Sequence, residues 1–180
     1  MPQDDYMQQI IRGEKNYEFR KYLIPPSVQR VWFYLNAPLS QIGYVCEIDP
    51  ARTRNEGDIP LVEDGLGNKE FNQRHKDWDR YDFAYHLRSV YKLRKPIVLQ
   101  EFQSRYGAKG APRGLVYLPD GILKDVMWSD QERILPQGED QGAGTAVVLL
   151  PNDNDHQAGE KPPRGKRNRS AEPTAQQLDK

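Results

Sequence analysis

The stretch "RGEKNYEFRK", residues 12–21, holds six ionisable side chains within ten residues. If this segment is extended, Glu18 and Arg20 point to one side of the strand, because side chains alternate along an extended chain. Tyr17 and Phe19 then point to the other side, and their rings make that side the natural core face. The stretch is therefore predicted to be a strand with one aromatic face and one face of opposite charges.

A short helix is predicted just before this strand. Asp4 or Asp5 can cap its N-terminus, and apolar side chains follow at a spacing close to 3.6 residues. Gly13 stands where a helix often ends in a left-handed residue. Lys15 then lies at the mouth of the turn, where the geometry of the helix end can direct its amine over the strand.

Spacing alone does not assign a function to these charges. An exposed pair of opposite charges on an edge strand, here Glu18 and Arg20, is the commoner arrangement and stabilises a protein by at most about 1 kcal/mol. The alternative is that Lys15, Glu18 and Arg20 line a binding site. The surrounding sequence is needed to distinguish an exposed ion pair from a binding site.

Further secondary structure is predicted on both sides of the 52–69 segment. Strands are expected at 30–36 ("RVWFYLN"), at 44–49 ("YVCEID"), at 84–99 with Pro96 closing the strand, and at 115–119 ("LVYLP") as a final core strand. Helices are expected within 69–83, 98–107 and 119–135. These elements predict an α+β domain built round a mainly antiparallel, barrel-like sheet with flanking helices.

Composition divides the chain into three parts. Residues 1–135 are predicted to form the domain, and residues 136–150 to add an edge strand or a docked segment. Residues 151–180 are polar and are predicted to be a disordered tail. Within the tail, residues 161–169 carry five basic and no acidic side chains. This basic run is a nuclear-localisation sequence, a tether for nucleic acid or a solvated segment.

Composition also disfavours several classes of site. The 26 basic and 26 acidic side chains cancel, so any attraction to nucleic acid must be local. The one cysteine, Cys46, excludes an intramolecular disulfide and is predicted to be a small buried apolar side chain. The three histidines lack ligand-like spacing, and no glycine-rich phosphate or dinucleotide motif is present. We therefore expect neither a metal nor a cofactor.

The sequence also gives an expectation about location. Its N-terminus lacks the basic and long apolar regions of a signal peptide, and no apolar run approaches the roughly 20 residues of a membrane helix. We therefore expect an intracellular protein without a membrane partner, in the nucleus or the cytoplasm. The basic run in the tail favours the nucleus.

The pattern G-x-K-x-x-E-x-R, here Gly13, Lys15, Glu18 and Arg20, resembles the motif of the ASCH domain family. ASCH domains are similar to the PUA, EVE and YTH modules, and the resemblance implies a PUA-like small β-barrel with flanking helices. The helix before the glycine and the order of the later strands also follow this family. The resemblance covers roughly residues 3–130.

The resemblance implies an RNA- or nucleotide-binding module whose motif side chains line a cleft beside the barrel. In such a cleft Lys15 and Arg20 would neutralise phosphate or contact a base, and Glu18 would accept a hydrogen bond from a base amine. A base also needs a wall on which to stack, and the candidates are Tyr34, Trp32 and Trp78. The glycine-rich loop "AKGAPRG" adds two basic side chains that a phosphate can approach, Lys109 and Arg113.

Two other functions remain open. Some ASCH-like proteins resemble small hydrolases that act on an acylated cytidine or on RNA, with Lys15 and Glu18 in acid–base roles here. Glu18 replaces the threonine that the acetylcytidine amidohydrolase uses, which removes a hydroxyl from that mechanism. The third function is that of a protein-interaction adaptor. Its contact surface would be the polar, glycine-rich segment 52–69, which is too long for a tight turn and is either a functional flap or an insertion.

Overall fold

The computed structural model of the chain describes residues 5–135 and 146–151. The helices are α1 (Asp5–Ile11), α2 (Asn68–Asn72), α3 (Leu99–Ser104) and α4 (Asp120–Asp125), with 3₁₀ turns at Lys76–Trp78 and Trp128–Asp130. The strands are β1 (Tyr17–Arg20), β2 (Val28–Leu35), β3 (Gln41–Ile48), β4 (Phe83–Val98), β5 (Val116–Tyr117), β6 (Glu132–Leu135) and β7 (Ala146–Pro151). The predicted disordered tail with its basic run lies outside the described residues.

The seven strands form one mixed sheet in the order β1-β4-β3-β2-β7-β5, and β6 also pairs with β4. The pairs among β1, β4, β3 and β2 are antiparallel, whereas β2 and β7 are parallel. The sheet curls into a half-barrel with a few flanking helices. The predicted α+β fold with a barrel-like sheet and flanking helices is therefore confirmed.

Alternation along β2 separates two core clusters on opposite faces of the sheet. Val31 and Phe33 belong to the first cluster, together with Met7 and Ile10 of α1. Trp32 belongs to the second cluster, which packs against α3 and α4. Both faces of the central strands are therefore buried, and this explains the dense apolar run that the sequence shows there.

A third core cluster lies on the aromatic face of β1. Tyr17 and Phe19 pack there against side chains from the long connection between β3 and β4, namely Leu61, Phe71, Trp78 and Tyr81. The ring of Phe19 meets the Trp78 ring edge-on, with the centroids 4.8 Å apart. The 52–69 segment and the residues after it thus cover β1 and supply part of the core.

Several predicted boundaries are wrong. Strand β4 passes through Pro96 and ends at Val98, because a register shift after the Tyr44–Lys92 pair takes the proline out of the hydrogen-bonded ladder. The helix predicted over 69–83 is only α2 and a 3₁₀ turn, since Arg74 and Arg80 have positive φ angles that end helical geometry.

Two further corrections concern the C-terminal half of the domain. The predicted helix over 119–135 ends at Asp125, because Val126 is extended, and Glu132–Leu135 pairs with β4 as β6. The predicted core strand 115–119 contributes only the two exposed residues of β5. The apolar run near the C-terminus forms β7, which lies between β2 and β5 in the sheet order.

Candidate functional site

The charged side chains of the motif meet at one carboxylate. Lys15 Nζ donates to Glu18 Oε2 at 2.8 Å, and Arg20 Nη1 forms an ion pair with Glu18 Oε1. Lys15 Nζ also donates to the carbonyl oxygen of Tyr17 at 2.8 Å, and Arg20 Nη1 to that of Phe19 at 3.0 Å. We call Lys15, Glu18 and Arg20 the charged triad.

The triad is buried in the domain. The exposed fractions of the Lys15, Glu18 and Arg20 side chains are 1%, 7% and 1%. Glu18 pairs across the ladder with Tyr85, which belongs to the first core cluster, so the charged face of β1 points toward that cluster. Both faces of β1 are therefore covered, and the triad that was expected to line a cleft is shielded from water in this structure.

The triad carries one more positive than negative charge if all three groups are ionised. Burial lowers the pKa of Lys15, and the charge of Glu18 and its hydrogen bond only partly oppose this effect. One carboxylate shared between two cations makes the strongest interactions available to it in a low-dielectric region. The site is therefore a preorganised, desolvated group of charges, which has one positive charge in excess when Lys15 is protonated.

Two uncharged side chains from neighbouring strands complete the surroundings of the triad. The Tyr85 hydroxyl accepts from the Ile24 backbone N–H at 2.6 Å and donates to the Tyr22 carbonyl oxygen at 3.1 Å. Cys46 is fully buried, as the sequence predicts. Burial raises the pKa of its thiol well above the ordinary value, and the negative charge of Glu18 raises it further.

Cys46 gives a pH-dependent prediction. In the native state the thiol keeps its proton above its ordinary pKa of 9.0, whereas the unfolded chain releases it there. The native state then binds more protons, so the free energy of unfolding falls as pH rises, by up to about 1.4 kcal/mol per pH unit from this group. We expect a steeper fall for the wild type than for Cys46→Ala in urea titrations above pH 9. If the free energy of unfolding falls equally steeply with pH in both proteins, the Cys46 thiol does not contribute to this pH dependence.

A strap formed by residues 62–68 crosses the turn that carries Lys15. The Leu66 backbone N–H donates to the Glu14 carbonyl oxygen at 2.8 Å. Asn16 joins the strap through two side-chain hydrogen bonds: its Nδ2 donates to Asp64 Oδ1 at 2.9 Å, and its Oδ1 accepts from Asn68 Nδ2 at 3.0 Å. These partners of Asn16 are not indicated by the sequence.

The predicted base-stacking residues do not surround the triad. Tyr34 and Trp32 lie in the second core cluster, on the opposite face of the sheet. Trp78 is buried in the third cluster, against Phe19. Strand alternation explains this for Tyr34, because Trp32 and Tyr34 alternate with Val31 and Phe33 and therefore face away from the first cluster.

The predicted basic loop is separate from the triad in the sheet order. Lys109 and Arg113 are exposed on the loop between α3 and β5, and β5 is at the opposite end of the sheet order from β1. Two surface grooves of about 410 and 320 Å³ lie in the described part of the chain. Neither groove is lined by a triad side chain or by Lys109 or Arg113.

A second buried polar cluster was not anticipated from the sequence. Ser89 Oγ donates to Glu47 Oε2 at 2.7 Å, and Arg30 Nη1 is 3.9 Å from Glu47 Oε1. The Arg30 guanidinium lies 4.3 Å from the centroid of the Trp128 ring, so this cluster holds the 3₁₀ turn against the sheet. The only indication in the sequence is the charged residue that opens the apolar run "RVWFYLN".

Among residues 5–135 and 146–151, no group of three or more His, Cys, Asp or Glu side chains is placed to hold a metal ion. Within the same described ranges, no helix combines the length and the apolar character needed to cross a bilayer.

A similar fold is found among solved protein structures. The crystal structure of ASCH from Zymomonas mobilis is similar to the chain, with a TM-score of 0.52 and 20% sequence identity over 73% of this chain and 92% of that one. A mutant form of the Zymomonas mobilis protein gives a TM-score of 0.49 and 16% identity over 73% and 95% of the two chains. No protein-family model and no curated protein matches the sequence. The chain therefore has the fold of an ASCH domain.

Proposed function

We propose that the chain is an RNA- or nucleotide-binding module and that the charged triad is its binding site. The observation that carries the proposal is the convergence of Lys15 and Arg20 on the single carboxylate of Glu18, with almost no exposure to water. Such a group has one positive charge in excess, which an anionic ligand can neutralise. The resemblance of the sequence motif to ASCH domains supports the same assignment.

The three side chains offer distinct contacts to a nucleotide. Arg20 presents a planar set of donors suited to a phosphate or to the acceptor edge of a base. Lys15 adds a compact charge for phosphate, and Glu18 accepts from an exocyclic amine. Hydrogen bonds to charged groups are stronger away from water, so a dry site favours a ligand that satisfies all three.

On this proposal the strap, residues 62–68, moves to admit a ligand to the triad. The strap is joined to the Lys15 turn by polar contacts, among them the bonds of Asn16 with Asp64 and Asn68. Hydrogen bonds of this kind contribute about 1 kcal/mol each, because water replaces them when they open. Ligand binding would thus be coupled to displacement of the strap, and the apparent affinity would be the intrinsic affinity multiplied by the fraction of molecules in which the strap is open.

The test is fluorescence anisotropy with a labelled single-stranded RNA and with a labelled nucleotide at low salt. Arg20→Lys keeps the charge but loses the planar donor set, so we expect an affinity about tenfold lower, equal to about 1.4 kcal/mol. The matched control is Arg12→Lys, because Arg12 belongs to the same stretch but is half exposed. If the wild type and Arg20→Lys bind with equal affinity, the triad is not the binding site.

A hydrolase is the second candidate, because burial lowers the pKa of Lys15 and its amine lies 2.8 Å from a carboxylate oxygen of Glu18. Such a pair can exchange a proton in acid–base chemistry. Incubation with RNA and with an acylated cytidine separates the two functions. Turnover that Lys15→Met abolishes would support the hydrolase, and binding without turnover would support the module.

A further inference from the structure

The connection between β3 and β4 carries a concentrated negative charge. Between residues 55 and 68 there are four carboxylates and no lysine, arginine or histidine: Glu56, Asp58, Glu63 and Asp64. All four residues are exposed. We call residues 55–66 the acidic ridge.

The carboxylates of the ridge are held mainly by neutral groups. Asp58 accepts from the Thr53 hydroxyl and from the Asn55 backbone N–H, which lower its pKa more than the nearby Arg52 and Arg74 do. Glu63 accepts from an asparagine amide at 3.2 Å, and so does Asp64 at 2.9 Å. Among the described residues, none of the four forms an ion pair with a cation. The negative charge of the ridge is therefore exposed and is only partly offset, by Arg52 and Arg74 near Asp58.

Large apolar side chains are exposed on the same ridge. The exposed fractions of Ile59, Val62 and Leu66 are 79%, 69% and 45%. Single exposed apolar side chains are ordinary on a protein surface, but three within eight residues, interleaved with four carboxylates, form an amphipathic surface.

Residues 59–62 of the ridge are held from beneath, whereas residues 62–66 also belong to the strap. Leu61 is buried in the third core cluster, and its backbone exchanges two hydrogen bonds of 2.9 Å with the Asn72 side chain. Arg52 Nη2 donates to the Ile59 carbonyl oxygen at 2.8 Å, and Asn68 Nδ2 to the Val62 carbonyl oxygen at 2.7 Å. The backbone carbonyls of Ile59 and Val62 are thus held by hydrogen bonds. Binding of a partner would therefore cost little conformational entropy at these residues.

We propose that the acidic ridge docks a protein segment that carries both basic and apolar side chains. The apolar side chains of the partner would cover Ile59 and Val62, and its lysines or arginines would meet the four carboxylates. RNA is disfavoured on this surface because the carboxylates repel phosphate. The inference goes beyond the proposed function, since the ridge and the charged triad would take different ligands.

Two other occupants fit the ridge less well. The basic run 161–169 of the same chain, "KPPRGKRNR", has no large apolar side chain to cover Ile59 and Val62. A second copy of the chain in a two-fold contact would place the ridge against itself and bring like charges together. The complementary partner is therefore a different protein.

The test is fluorescence anisotropy of the full chain with a labelled dodecamer of alternating lysine and valine. A lysine–serine dodecamer controls for charge alone, and a glutamate–valine dodecamer for apolar side chains alone. We expect the lysine–valine peptide to bind at least about tenfold more tightly than either control. We also expect Ile59→Ser/Val62→Ser and Glu56→Gln/Glu63→Gln each to weaken it about fivefold or more, because each removes one half of the complementarity.

The matched control is Leu39→Ser, because Leu39 is an exposed apolar residue outside the ridge. This variant should bind the lysine–valine peptide as the wild type does. Equal binding of the lysine–valine and lysine–serine peptides would overturn the proposal, and so would unchanged binding in Ile59→Ser/Val62→Ser. A dimer in size-exclusion chromatography that Ile59→Ser/Val62→Ser dissociates would also overturn it, by assigning the ridge to a second copy.

Discussion

Glu18→Leu is expected to lower the free energy of unfolding by about 3–5 kcal/mol, because it leaves two buried cations without their shared carboxylate. Lys15 and Arg20 would then remain almost fully shielded from water without the carboxylate that balances their charges. Urea unfolding followed by circular dichroism measures the change. The control is Glu14→Gln, since Glu14 is exposed and pairs only with Arg12 at the surface, and it should unfold as the wild type does.

The triple variant Lys15→Met/Glu18→Leu/Arg20→Met separates charge from packing. It removes all three charges together, and apolar replacement of a complete buried charge group is often neutral or stabilising. We expect it to be more stable than Glu18→Leu alone. If Glu18→Leu has the same free energy of unfolding as the wild type, the charge of Glu18 does not stabilise the buried Lys15 and Arg20.

Phe19→Ala is expected to cost about 3–5 kcal/mol and to loosen the connection between β3 and β4. The Phe19 ring packs against Phe71 at 5.3 Å and Trp78 at 4.8 Å between centroids, so truncation opens a cavity at the centre of the third cluster. The connection is held to β1 largely through this cluster. Limited proteolysis should therefore cut within residues 52–82 faster in the variant than in the wild type.

A matched aromatic control is Tyr117→Ala, because Tyr117 is exposed on the short strand β5. This variant should keep the stability and the proteolysis rate of the wild type. Phe19→Ala with wild-type proteolysis of residues 52–82 would mean that the third cluster does not anchor the connection.

Much of the fold is readable from the sequence because local patterns and tertiary structure agree. The helix before Gly13, the strand from Tyr17 and the central strands all form near the predicted positions. Alternation in "YEFR" correctly separates the aromatic from the charged side chains. Periodicity shows which side chains share a face of a strand, but it does not show which other elements pack against that face. The packing of the β3–β4 connection on Tyr17 and Phe19 could therefore not be predicted.

The remaining errors arise from long-range contacts. The stacking role predicted for Tyr34 depends on which face of β2 lies on the same side of the sheet as the triad, and this is set by the register of the intervening strands β4 and β3. The extension of β4 past Pro96 depends on a register shift against β3. The contacts of Asn16 join residues 48 and 52 positions apart, beyond the reach of any local pattern.

The most direct test of the central claim is the dissociation constant of the triple variant, Lys15→Met/Glu18→Leu/Arg20→Met, for a single-stranded RNA. The variant is first shown to be folded by a cooperative urea transition. If the charged triad is the binding site, the folded variant binds RNA at least about tenfold more weakly than the wild type, because each good charged contact contributes about 1–3 kcal/mol. A folded triple variant with the wild-type dissociation constant would contradict the assignment.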